Sequence, residues 1–279
     1  MAEITAAAVG KLRQMTNAGL MDCKKALAEA NGDMDVAVDI LRKKGTASAA
    51  KKAGRDANEG LIVQHILPGA RAGILVEVNC ETDFVARNES FGAFCAEVAK
   101  KIAENPAADL EADRVAAVAK IGENIKITRH QRLEVVGHGV IGAYIHTGAK
   151  VGVLVEVGAG KAETASHEAF KQLVRDLTLQ IAAAQPHSVS RASVPAALLA
   201  KEKEIAAEQF KDKPAQAVAK IIEGKLEKFF QTHCLVDQGF VKNGEISVKD
   251  HIAAVGKQLG DPVEIHRFVR FQIGEAFGE

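Results

Sequence analysis

The sequence predicts an α+β protein: an N-terminal three-helix bundle, then two homologous core subdomains with antiparallel sheets, the second interrupted by a helical hairpin. Three observations predict it. The first stretch carries helical periodicity with capping residues at its ends; a strand–turn–strand–helix pattern occurs twice at a fixed offset of 79 residues; and a further pair of matching segments lies 138 residues apart. The expected divisions are 1–54 for the helical module and linker, 55–137 for the first core subdomain, and 138–279 for the second, with the hairpin at about 187–245.

In the first stretch Thr5 can cap a helix through Met15, with Val9 and Leu12 on one face. "NAGL" breaks it, and Asp22 is expected to open a second helix that carries Ala26 and Leu27 inward. Asn31-Gly32 suits a left-handed helix terminus, and Asp33 caps a third helix whose Ala37, Ile40 and Leu41 fall at core spacing before Gly45 ends it. This is the pattern of a ubiquitin-associated-type (UBA-like) bundle, which by itself names no partner. "TASAAKKAGRDANEG", 46–60, reads as a partly helical linker with Lys51, Lys52 and Arg55 on a solvated face.

The repeat aligns "GLIVQHILPGARAGILVEV", 60–78, with "GVIGAYIHTGAKVGVLVEV", 139–157. The register persists from Phe91 to Phe170 and from Ile102 to Ile181, so each copy runs strand, turn, strand, amphipathic helix. A later segment, "GENIKITRHQRLEV" at 122–135, matches "GDPVEIHRFVRFQI" at 260–273, pairing Arg129 with Arg267 and Arg132 with Arg270. The larger offset means that about 59 residues are inserted in the second copy. They read as a helix to about Lys211, a break at Asp212-Lys213-Pro214 and a helix through Leu235. Ile205, Phe210, Val218, Ile221, Ile222, Leu226, Phe229 and Phe230 form apolar stripes that a lone hairpin cannot bury, so it should pack on the core, a partner or a second copy of itself.

Composition excludes several functions. Thirty-six basic against thirty-six acidic residues give no net field for a nucleic-acid backbone or an anionic membrane. No stretch approaches the ~20 apolar residues of a membrane span, and "MAEITAAAVG" is not a signal peptide, so the expected location is the cytoplasm. Cys23, Cys80, Cys95 and Cys234 are scattered without a CxxC, as reduced buried thiols would be. Phosphate-loop, dinucleotide, metalloprotease and nucleophile-elbow motifs are missing, and "GAGK" at 158–161 has the wrong spacing. His167 in "SHEAF" lacks a second histidine one turn on and is expected to be solvated or capping. No cofactor, no metal site and no catalytic residue are expected.

One stretch departs from the repeat. After its second strand the first copy has "NCETDFVARNESF", where the second has "GAGKAETASHEAF"; Lys161, Ala162, Glu163 and Thr164 replace Thr82, Asp83, Phe84 and Val85. The scaffold therefore does not require "TDFV". Two readings stay open: Phe84 folds into the core while Thr82 or Asp83 caps locally, or Phe84 is an exposed aromatic marking an interface.

"TNAGLMDCKKALAEANGDMDVAVDILRKKG", "KKAGRDANEG", "LVEVNCETDFVARNESF", "CLVDQGFVK" and "RFVRFQIGE" together resemble the bacterial elongation factor Ts (EF-Ts) family from end to end, with "NAGLMD" where the family more often has "GAGMMD". The resemblance implies a translation factor of protein biosynthesis, not an enzyme: a guanine-nucleotide exchange factor that binds elongation factor Tu (EF-Tu) in its GDP-bound and nucleotide-free states. It implies that Thr82, Asp83, Phe84 and Val85 enter the partner beside its nucleotide, disturb the Mg²⁺ site and promote GDP release so that GTP can bind. It leaves a homodimer through the hairpin as an expectation. The alternative is a non-exchange protein–protein adaptor.

Overall fold

The computed structural model describes residues 4–16, 18–210 and 212–275. It opens with helices α1 (Ala6–Thr16), α2 (Leu20–Glu29) and α3 (Met34–Lys52). Val9, Leu12, Cys23, Ala26, Leu27 and Ala37 are buried among them. The Thr5 hydroxyl oxygen accepts from the Ala8 N–H at 3.2 Å. Asn31 and Gly32 take φ of 48° and 89°, and the Asp33 carboxylate accepts from the Val36 N–H at 3.0 Å. These caps form as the sequence implies.

Two expectations here are corrected. Helix α2 starts at Leu20, with Gly19 as its N-cap, so Asp22 lies in its first turn instead of opening it. Gly45 does not end α3, which runs seven residues further into the expected linker. The reason is tertiary: Gly45 is buried where α3 meets α6 (Glu111–Ile121), and a Cβ there would lie 3.5 Å from Ala119 Cβ and 3.6 Å from Val115 Cγ1. The glycine is an approach point between helices and not a stop signal. Asn17 in the break and Lys211 at the hairpin's first helix lie outside the described residues.

The core holds two antiparallel three-stranded sheets. The first is ordered β1 (Glu59–Ile66), β2 (Ala72–Cys80), β3 (Lys126–Glu134); the second is β4 (His138–Ile145), β5 (Val151–Ala159), β8 (Val263–Gln272). Helices α5 (Glu89–Glu104) and α6 back the first, and α7 (Glu168–Ala184) and α10 (Val248–Leu259) the second. The short α4 (Asp83–Ala86) lies between β2 and α5. The sequence alignment becomes atomic detail. Val78 pairs Ile127 just past a register shift, and Val157 pairs Ile265 just past the equivalent one. Gly60 and Gly139 share φ of 149° and 144°, and a Cβ at either would fall 2.2 Å from a carbonyl oxygen of the neighbouring strand. Glu77 and Arg129 pair at 2.7 Å, as do Glu156 and Arg267.

The sheets meet through a third apolar cluster, with Ile62, Leu75, Leu133 and Val135 against Ile141, Leu154 and Phe271. Each arginine also reaches the other half: Arg129 donates to the Gln272 carbonyl at 3.2 Å, and Arg267 to the Glu134 carbonyl at 3.0 Å. The two copies clasp each other in equivalent ways.

The inserted helices are α8 (Ala196–Gln209) and α9 (Ala215–His233), so the second helix stops two residues before Leu235. No described residue of α9 is fully buried, and Ile205 is exposed. The ends of the hairpin lie side by side, since the His187 and Ser188 N–H groups both donate to the His233 carbonyl, at 2.9 and 3.1 Å. Beyond it Cys234, Leu235 and Phe240 are buried, and β6 (Gly239–Phe240) and β7 (Asn243–Ser247) form a small ribbon before α10.

Candidate functional site

The four residues Thr82–Val85 divide into two that hold and two that project. Thr82 is the N-cap of α4: its Oγ1 accepts from the Val85 N–H at 3.3 Å and its hydroxyl donates to Glu123 Oε1 at 2.6 Å. Glu123 Oε2 accepts from the Glu81 and Thr82 N–H groups, each at 3.0 Å. Val85 packs against the first core cluster, and Ala86 is buried. Asn88 then caps α5 through the Ser90 N–H at 2.8 Å. A four-residue helix has little stability of its own, so these caps and anchors fix it.

Phe84 points the other way and is 81% exposed, the most exposed of the large apolar side chains described. A phenyl ring in water forgoes roughly 1.5–3 kcal/mol of burial free energy, so local folding does not explain its place. The reading in which Phe84 folds into the core is thus corrected, while local capping by Thr82 is present. Asp83 stands beside it, paired to Arg87 at 3.0 Å in a solvent-facing ion pair.

The second copy keeps the seat and changes the occupant. Asp261, which aligns with Glu123, accepts from the Lys161 N–H at 3.0 Å and from the Thr164 hydroxyl at 2.5 Å. Thr164, at the position of Val85, is buried, and exposed Glu163 stands where Phe84 does. Glu123 was not singled out by sequence reasoning. It lies 41 residues from Thr82, and its only sequence signal is the acidic residue shared by "GEN" and "GDP" in the later alignment.

The remaining reactive groups have structural surroundings. All four cysteines are buried and free. Burial, then the Glu123 charge, pushes the Cys80 thiol up to about 12, and burial raises Cys95 as well, so both stay protonated and poorly nucleophilic. His167 caps α7, its Nδ1 accepting from the Ala169 N–H at 3.3 Å. Among the described residues no group of three or more His, Cys, Asp or Glu side chains is placed to hold a metal ion. No described helix is long and apolar enough to cross a membrane.

The fold and this site define an internally duplicated α+β protein with a helical module before its core and a helical hairpin within it, presenting an aromatic side chain on one copy only. The family profile described as "Elongation factor TS" matches residues 81–275. The chain is 46% identical to an elongation factor Ts of Symbiobacterium thermophilum, over 99% of this chain and 93% of that one. It is 44% identical to one of Nitratiruptor sp. and 42% to one of Trichlorobacter lovleyi, each over 98% of this chain and 93% of the relative. The chain belongs to the elongation factor Ts family, and so to the translation elongation factors.

Proposed function

We propose that this protein is a guanine-nucleotide exchange factor for elongation factor Tu, and that α4 with its cap, Thr82–Val85, is the exchange element. The observation that carries the reading is Phe84, held outward on a doubly anchored turn whose counterpart in the homologous copy is seated the same way but carries no aromatic. A rigid aromatic presented this way suits insertion into a partner, because little conformational entropy remains to be lost. Asp83 beside it carries negative charge toward the region where a GTPase holds Mg²⁺ against phosphate oxygens. Shifting the ligands of that ion weakens nucleotide binding.

Coupling then gives exchange without covalent chemistry. If the factor lowers GDP affinity by some ratio, GDP lowers the factor's affinity by the same ratio, so the nucleotide-free complex is the tight one and fresh GTP releases it. The division into a helical module, two core subdomains and a hairpin insertion belongs to the same reading: the core presents Phe84, and the hairpin, with no fully buried residue on α9, is available to pair with a second copy.

The test is release of fluorescent GDP from elongation factor Tu with and without this protein. Strong acceleration by the parent chain and its loss in Phe84→Ala are expected. Binding without acceleration would identify an adaptor instead, and equal acceleration by parent and variant would remove the site assignment.

A further inference from the structure

We propose that Asn124 and Glu81 are positioning residues that tie the Phe84-bearing helix to the tail of the N-terminal helical module, so that module and aromatic meet a partner as one rigid body. The proposal rests on the exchange reading above and concerns how its site is held.

The connection is a short chain of hydrogen bonds. The Asn124 N–H donates to Glu81 Oε1 at 2.6 Å, while Glu123, one residue earlier, accepts from the Glu81 and Thr82 N–H groups. Two carboxylates therefore lock segments 81–82 and 123–124 together reciprocally. From this lock the Asn124 side-chain amide donates to the Arg55 carbonyl at 2.8 Å and the Ala53 carbonyl at 3.4 Å, the residues that follow α3. Arg55 closes the loop by donating to Glu81 at 3.4 Å. Helix α6, which receives Gly45 of α3, runs directly into Glu123 and Asn124 through Gly122.

The second copy shows which part is scaffold. Asp261 reproduces Glu123, but Gly160 stands at the position of Glu81 and Pro262 at that of Asn124. Proline has neither an N–H to donate nor an amide side chain. The seat is common to both copies, and the tie to the module exists only in the copy that carries Phe84.

Asn124 is also poorly chosen for stability alone. It is 1% exposed, and its Oδ1 has no hydrogen-bond partner. A buried acceptor left unpaired is a destabilising feature that native proteins tolerate for a reason. Flipping the amide would set that oxygen against two carbonyls, so the orientation is dictated by the tie. A positioning role accounts for a residue that the homologous copy replaces with proline.

The experiment uses the full chain with Lys43→Cys and Phe84→Cys spin-labelled; the four native cysteines are buried, which directs labels to the introduced thiols. Distance distributions between the labels are compared in this background and with Asn124→Asp, Glu81→Ala or Asp261→Asn added. Asn124→Asp is isosteric and replaces the amide donors with a charged acceptor set against the Ala53 and Arg55 carbonyls; Glu81→Ala, at a partly exposed loop position, carries the test where the buried variant fails to fold. The distribution should widen about twofold in both tie variants and stay narrow in Asp261→Asn. Without the cysteine substitutions, the concentration of factor giving half-maximal GDP release should rise about tenfold in the tie variants with the plateau rate nearly unchanged, because Phe84 and the module, which exposes Leu20 and Met21 as a second apolar contact, change from pre-aligned to independently tethered. A distribution as narrow as the parent's in both tie variants would overturn the proposal, as would widening with no change in half-saturation. A parent chain that does not accelerate GDP release would instead overturn the exchange reading, and the distances would still decide the tie.

Discussion

The two copies of the core unit agree wherever the backbone must close a sheet and differ where a side chain leaves it. Both have the register shift in the second strand, the inward carboxylate paired to an arginine, and that arginine's reach into the other half. They part at the turn after that strand: one seats a threonine cap and projects Phe84, the other buries Thr164 and exposes Glu163. A duplicated scaffold is its own control. A residue kept in both copies answers to folding, and one kept in a single copy either is compensated by a change beside it or answers to something the fold does not require.

The largest effects should fall on what is shared. Phe91 and Phe170 occupy equivalent positions at the start of α5 and α7, and both are 0% exposed. Phe→Ala at a packed site costs ~3–5 kcal/mol, so both variants should show similar, large losses in chemical denaturation. A severe loss in one copy and a mild one in the other would break the equivalence of the two cores.

Next comes the pair that is not shared. Phe84→Ala should leave the melting temperature nearly unchanged yet slow stimulated GDP release more than tenfold, because truncating an interface anchor costs upward of ~2 kcal/mol. Glu163→Ala, its counterpart, should change neither. An effect of Glu163→Ala as large as that of Phe84→Ala would show that both turns act, and the contrast between copies would lose its meaning.

Thr82 sits between these cases because it belongs to the cap and not to the projecting face. Thr82→Ala removes the hydrogen bond to Val85 and the one to Glu123, and loss of an N-cap costs about 0.5–2 kcal/mol. Stability should fall modestly by thermal melting, and GDP release should slow by less than in Phe84→Ala, since the anchors at Val85 and Ala86 remain. A Thr82 variant with full stability and no exchange would mean that Thr82 touches the partner itself.

Much of this was legible in the sequence, for a physical reason. Strand pairing and core packing constrain many positions at once, so duplication leaves a periodic trace, and the offsets of 79 and 138 residues locate the six strands of the two three-stranded sheets but not the β6–β7 ribbon. What was not legible depends on contacts distant in the chain. Gly45 resembles a helix terminator locally, and only its approach to Ala119 and Val115 explains why α3 continues. "TDFV" is compatible with a buried or an exposed phenyl ring until the Thr82–Glu123 clasp turns α4 outward. Asn124 gives no local hint of its bonds to Ala53 and Arg55, about 70 residues earlier.

The smallest expected effect concerns a compensated exchange inside the shared sheet. In the first copy the Asn79 amide donates to Glu77, and the Thr128 hydroxyl to Asn79; in the second, Gly158 and His266 stand at those positions, and His266 lies 3.1 Å from Glu156. A Cβ on Gly158 would sit 2.6 Å from the His266 ring, so the small residue makes room for the large one. Burial alone would raise the Glu156 pKa, but the Val136 N–H, His266 and Arg267 outweigh it and hold the carboxylate below its usual range. A folded pKa below the unfolded value of about 4.3 contributes stability that is present above that pH and is lost as pH falls through the folded pKa. Thermal melts from about pH 6 down to about pH 3 should therefore show parent and Glu156→Gln converging toward acid, with the variant less stable at the upper end. A gap between them that stays constant across that range would mean that Glu156 acts through shape and hydrogen bonding alone.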